Sequence, residues 1–370
     1  MTHPRKLIGL TAVVWAGLAI GGVTKAAPFQ LDPGDFAVLA GGQLETGNGV
    51  TVEGTIGGGT DVWLGNDTAV TGDAYAGHAF GAGNKVSVTG STAAGHDADL
   101  GNNASVGGSL TALGDTYLGS KATVGGHAYT EGRLEMNNKA EVSGDARYGD
   151  SYWLHNNAEV GGTLSQSGAS YDRWEAALPD APTFSAAGGS EWHANNSTVH
   201  LTPGDFGAFQ TGNNATVHLA PGTYNFRSIW LGNNTQIVAD TASGDVIVNV
   251  VDDFDAGNNA ILSRSGDDGW LSVHSGGSIW LGSHVVADAG FAAYTGDVET
   301  GSHVDVSGQV VAGDRVWLGH HSRVGGYAGQ LDLGGSPVAG AQPIPEPASL
   351  AMVGLGALLI ARRRRRTAGE

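Results

Sequence analysis

An 18-residue repeat runs without a gap through the first half of the chain, and a repeat of that length restricts it to a solenoid. Leu64-Gly65-Asn66, Ala82-Gly83-Asn84, Leu100-Gly101-Asn102, Leu118-Gly119-Ser120, Met136-Asn137-Asn138 and Leu154-His155-Asn156 follow one another at that interval, and Thr46-Gly47-Asn48 precedes them. Six residues after each start stands a valine, from Val52 to Val160, and eight after it a glycine, from Gly54 to Gly162. A six-residue period is nested inside: Leu100, Val106, Ala112, Leu118 and Val124 are each followed four residues later by a small or apolar residue or a threonine, as in Ala104, Leu110, Thr116 and Ala122. Three six-residue sides per repeat predict an all-β fold, a parallel β-helix with triangular coils whose start residue and fourth following residue point inward. The Asn and Gly columns then fall at corners, where left-handed backbone is tolerated and stacked asparagines can bond from coil to coil. Seven such coils predict a rod of about 34 Å.

The repeat stops near 165–190. Tyr171-Asp172-Arg173-Trp174-Glu175-Ala176-Ala177-Leu178-Pro179 reads as a short helix ended by proline, serving as a linker or as a lid over an open solenoid end. Repeats then resume with looser spacing at Gly212-Asn213-Asn214, Gly232-Asn233-Asn234, Gly257-Asn258-Asn259, Gly282-Ser283-His284, Gly301-Ser302-His303 and Gly319-His320-His321. The expected organisation is a signal peptide over 1–26, regular β-helix over 27–165, a linker over 166–192, a less regular β-helix over 193–335 and a tail over 336–370. Hexapeptide periods occur in left-handed acyltransferase-type helices and in right-handed bactofilin-like helices. The stretch Leu219-Ala220-Pro221-Gly222-Thr223-Tyr224, Ile229-Trp230-Leu231-Gly232-Asn233-Asn234 and Val246 to Val251 resembles the right-handed β-helix of ice-binding-like surface adhesins, so a right-handed coil is expected. Ice binding itself uses a flat array of outward threonines. The outward column Ala69, Ser87, Ser105, Thr123, Glu141, Glu159 is mixed and ends acidic, which argues against it.

Both ends read as addresses. Arg5 and Lys6 precede the apolar run Leu7 to Val23, and Thr24-Lys25-Ala26 offers small residues for signal peptidase. At the other end Pro345, Glu346 and Pro347 are followed by an apolar stretch from Ala348 to Ala361 and by Arg362, Arg363, Arg364, Arg365 and Arg366. Fourteen apolar residues make about 21 Å of helix, short of a bilayer core of ~30 Å, so the stretch suits transient inner-membrane anchoring with its arginines on the cytoplasmic side. This tripartite tail resembles the PEP-CTERM sorting signal of exopolysaccharide-producing Gram-negative bacteria. The resemblance implies recognition by an exosortase and trimming during export to the cell surface or extracellular matrix.

Composition narrows the function. Glycine fills 62 of 370 positions, but without a Gly-X-Y period and with only 11 prolines collagen is excluded, and there is no cysteine to form a disulfide or a thiolate metal site. The formal charge is −18; removing the two address segments takes eight of 18 basic residues and two of 36 acidic ones, leaving a net charge near −24. Such a surface disfavours nucleic acid and anionic membrane as partners. No phosphate loop, nucleophile elbow or zinc-protease helix is present, and neither catalysis nor a cofactor is expected.

Two columns carry chemistry. The residue before the repeat start is aromatic at Trp63, Tyr117 and Trp153, and again at Trp230, Trp280 and Trp317. Such a row reads first as packing covered by the linker or by another copy, and second as a platform for sugar rings of an exopolysaccharide. His284, His303 and His321 share one corner position in what should be adjacent coils, and His78 and His96 form a smaller pair. Stacked imidazoles can share a metal ion, but histidine also simply replaces asparagine at a tolerant corner, the simpler reading. Asp252, Asp253, Asp255, Asp267 and Asp268 lack calcium β-roll spacing and read as loop acids. The expected protein is a non-catalytic, exported structural or adhesive rod, with glycan binding as the alternative.

Overall fold

The computed structural model describes residues 29–30, 32–167, 174–175, 182–325 and 331. The segment expected as a signal peptide and the tail lie outside them, as does most of the helix expected over 171–179. Of that stretch, Trp174–Glu175 are described, and they pair in parallel with Phe29–Gln30.

The chain winds as a triangular parallel β-solenoid. Each regular coil contributes a strand to three faces, as in Val62–Leu64 on face one, Ala69–Val70 on face two and Ala74–Ala76 on face three. The six-residue period emerges as two inward columns: Leu100, Val106, Ala112, Leu118 and Val124 are buried, and so are Ala104, Leu110, Thr116 and Ala122. Small and branched side chains at those positions fill the narrow triangle and stack on their counterparts one coil away.

The corners divide labour between neighbouring residues. One adopts left-handed backbone with φ near +57°, as at Asp67, Asn103, Asn157 and Asn214. The residue before it caps the next coil: Asn48 Oδ1 accepts from Asn66 N at 2.9 Å, Asn66 from Asn84 N at 2.8 Å and Asn84 from Asn102 N at 3.0 Å. Asn195, Asn213, Asn233 and Asn258 do the same in the second half. Each bond satisfies a corner N–H that the strand ladder leaves free.

The coils do not stack in chain order. Face two is a 14-stranded sheet in which Thr51–Val52, the first strand of the chain on that face, sits beside Arg323–Val324, the last. The same junction joins Val38 to Val310 on face three and Leu44 to Val316 on face one. The segments expected as successive β-helix domains, 27–165 and 193–335, therefore share one continuous ladder. The chain enters at the middle of the rod, winds out to one tip near Gln166, crosses to the other tip near Glu191 and winds back to the middle. Fourteen rungs at ~4.8 Å give a rod of about 60 Å. The two dozen residues between Gln166 and Glu191 can span ~80 Å when extended, enough to run its length. The described part of this crossing lies along the rod, with the Phe184 ring 5.8 Å from that of Tyr294.

The junction is stitched on every side. Arg323 pairs with Glu53 at 2.8 Å and with Asp305 at 3.1 Å, and both carboxylates raise its pKa. Asn48 N donates to His320 Nδ1 at 2.9 Å, so the corner ladder crosses from one half to the other. Gly49, at φ +69°, lies under the His321 ring, where a Cβ would collide with Nδ1. Outside face three, Phe36, Leu39, Tyr75, Ala292, Val311 and Leu331 form a second apolar cluster over the seam. Gln309 Nε2 donates to Pro33 O at 2.6 Å beside it.

Candidate functional site

Each face-one strand places its middle side chain outward, because its neighbours on either side are inward core residues. Followed through the register from tip to tip, that outward column reads Trp192, Gln210, Trp230, Asp255, Trp280, Glu299 and Trp317. It crosses the junction to Glu45 and Trp63, then continues through Gly81, Asp99, Tyr117, Glu135 and Trp153. All six aromatic residues singled out from the sequence therefore stand in one column. From Trp192 to Trp63 an indole occupies every second rung, about 9.6 Å apart, with Gln, Asp, Glu and Glu between.

All of the rings but Trp317, which is half-buried, are open to solvent. Trp192 is 68% exposed, Trp153 61%, Trp230 59%, Trp280 55% and Trp63 41%. None is covered by the described part of the crossing segment, which contacts residues near Asp205, Gly276 and Tyr294 instead. The Trp63 indole leans over Gly81, and a Cβ there would strike its Cε3 and Cζ3 atoms. Glycine at this rung lets the ring lie along the face.

The acids in the column differ. Glu299 is ion-paired with Arg315, and Glu135 lies 3.6 Å from Arg133 and 3.4 Å from His155. Asp255 and Glu45 have no ion-pair or side-chain hydrogen-bond partner among the described residues. Asp255 is half-buried between the Trp230 and Trp280 rungs, and that burial raises its carboxyl above the usual value. None of the fourteen column positions is a lysine, arginine or histidine; Arg133, His155 and Arg315 flank the column beside Glu135 and Glu299, and His193 shares the strand of Trp192.

Sequence reasoning left out Trp192, although Ala194-Asn195-Asn196 lies 18 residues before Gly212-Asn213-Asn214 and marks its coil. It also left out the alternation, which exists only once Trp317, Glu45 and Trp63 are neighbours in space.

The histidine corner is placed in adjacent coils. The His284 and His303 rings are parallel at 5.0 Å, and His321 follows at 5.2 Å, each on left-handed backbone with φ between +56° and +60°. His78 and His96 stack at 5.0 Å, and His200 and His218 at 4.5 Å. Among the described residues no group of three or more His, Asp or Glu is arranged to hold a metal ion. The aspartates around 252–255 are likewise dispersed: Asp252 pairs with Arg227, Asp253 caps Ser278 N and Asp255 belongs to the ladder.

Residues 343–366 match the family model described as the PEP-CTERM protein-sorting motif. This chain carries a PEP-CTERM sorting motif. The motif is the recognition signal for exosortase processing, and it marks the protein as exported and sorted, in association with the membrane, to the cell surface. Among the described residues no helix is long and apolar enough to cross a membrane; the apolar stretch of the motif lies outside them. No curated protein matched the chain. The crystal structure of an ice binding protein from an Antarctic bacterium, Flavobacteriaceae, is similar at 10% identity over 79% of this chain and 96% of that one, with a TM-score of 0.26. At that score the fold rests on the hydrogen-bonded register and not on the likeness.

Proposed function

We propose that this PEP-CTERM protein is a non-catalytic adhesive rod, displayed on the cell surface and binding carbohydrate of the surrounding matrix through face one. The observation that carries the reading is the exposed aromatic column running from one tip to the other. Tryptophan offers a large, rigid apolar face with a polar edge, which suits the C–H face of a pyranose ring, and so long a row of exposed indoles marks a binding surface. The apolar cluster of Phe36 and Leu331 packs over face three, so it leaves face one uncovered. Catalysis has little support: a depression on face two is lined by Ser87, Ser105, Thr123 and Glu141, with one carboxylate, whereas glycoside hydrolysis uses two.

Fractionation of producing cells, with and without residues 345–370, combined with co-sedimentation with their own polysaccharide, tests the reading. The intact protein is expected at the surface and in the polysaccharide pellet, and the truncated one is expected to be mislocalised. Intact protein at the surface that stays in the supernatant at every polysaccharide concentration would overturn the adhesive role.

A further inference from the structure

The rungs between the indoles point to the kind of glycan. An extended β-1,4-linked pyranose chain turns each sugar over relative to the last, so the same ring face recurs every second residue. The advance over two such sugars is close to two strand spacings, ~9.6 Å, which separates Trp192, Trp230, Trp280, Trp317 and Trp63. Alternate sugars can then stack on successive indoles while those between lie over Gln210, Asp255, Glu299 and Glu45.

Charge selects further. The column holds five carboxylates and no basic residue, which repels uronate-rich or sulfated chains. Asp255 and Glu45 have no cation of their own among the described residues. Each stands between two tryptophans, Asp255 between Trp230 and Trp280 and Glu45 between Trp317 and Trp63. An ammonium group placed there meets a carboxylate directly below it. Desolvating a carboxylate without a partner is unfavourable, and an incoming cation relieves that cost.

We propose that face one binds an extended β-1,4-linked glycan bearing free amino groups. Alternate sugars stack on Trp192, Trp230, Trp280, Trp317 and Trp63, and their neighbours place ammonium groups on Asp255 and Glu45. This deepens the adhesive reading by naming the ligand class, and it rests on that reading only for where the rod meets its glycan.

The test is calorimetric titration of the full chain with three hexasaccharides: β-1,4-linked glucosamine, the neutral β-1,4-linked glucose analogue and a β-1,4-linked uronate. The amino sugar is expected to bind about tenfold tighter than the neutral one, with no measurable uronate binding, and the preference should shrink as salt rises. Trp280→Ala should weaken both amino and neutral ligands about tenfold. The double variant Asp255→Asn/Glu45→Gln should abolish the preference, so that the amino and neutral sugars bind with the same affinity. Unaltered melting and circular dichroism of these surface variants would show that binding is lost without the fold. Equal affinity for amino and neutral sugars, or a preference that survives the double variant, would overturn the charge assignment. Binding unaffected by Trp280→Ala, or no binding of any hexasaccharide, would overturn the site. A mislocalised protein that still binds the amino sugar refutes surface display alone, whereas a surface-displayed one that binds none refutes this inference.

Discussion

The two halves of the rod solve the same stacking problem with different materials. From Gly49 to Asn157 the left-handed corner recurs every 18 residues, whereas from Asn196 to His321 the same corner recurs after 18, 20, 25, 25, 19 and 18. The regular half fills its triangle mostly with Leu, Val and Ala, and Phe80 is its one large fully buried inward ring. The irregular half uses Phe209, Tyr224, Phe226, Phe254 and Phe291, with Phe206 and Phe226 stacked at 4.8 Å. Its strands are also longer, as in Gly222–Leu231 and Val246–Val250. Coil length is thus not what the ladder conserves. The inward columns and the corner caps are common to both halves, and surplus residues leave at turns such as those between Ala239 and Val246 or Arg264 and Leu271.

If the irregular half depends on its aromatic core, Phe226→Ala should give the largest loss, about 3–5 kcal/mol of unfolding free energy, read by denaturant titration. Leu110→Ala in the regular half should cost less, about 2–4 kcal/mol, because neighbouring small residues can close part of the gap. Equal losses would show that the two cores are interchangeable. The corner caps should be equivalent between halves: Asn84→Ala and Asn213→Ala are each expected to cost about 1 kcal/mol, with amide exchange quickened at Asn102 and Asn233 respectively. Arg323→Ala, at the seam, should matter less, under about 1 kcal/mol, since its ion pairs are solvent-exposed. Its signature would be a salt-sensitive rise in exchange at Thr51 and Asp305 and not at either tip.

The smallest effect has the opposite sign. Burial raises the Asp255 carboxyl in the folded chain, so between the unfolded and folded pKa values the folded form holds more protons, and stability falls as pH rises through that window. Asp255→Asn is therefore expected to raise the melting temperature slightly at neutral pH, and the gain should fade as pH falls through the folded and then the unfolded pKa, vanishing by about pH 3, where the carboxyl is uncharged in both states. A destabilising Asp255→Asn would mean that the carboxylate already has a partner.

Much of this was legible in the sequence because triangular coils impose a period that side chains must obey. Val52 to Val160 and the Asn corners give the faces directly, since each position has one environment repeated coil after coil. The aromatic column was legible too, but in two separate pieces. What joins them is Leu44 lying beside Val316 and Val52 beside Val324. No local pattern encodes that contact: a coil whose neighbour is one repeat away in sequence looks the same as one whose neighbour is the far end of the chain. The seam cluster of Phe36, Leu39 and Val311 did leave a trace, as apolar residues at outward face-three positions where Thr111 and Arg147 stand elsewhere.

The first and last coils being neighbours also decides how the rod carries load. A solenoid tethered through a terminal coil can be peeled one rung at a time, because each detached rung leaves a new free edge under tension. Here the last described strand before the sorting motif, Arg323–Val324, stands at the middle of the rod and is hydrogen-bonded on both sides. A pull applied at that strand works against two interfaces at once, while both tips lie far from the load.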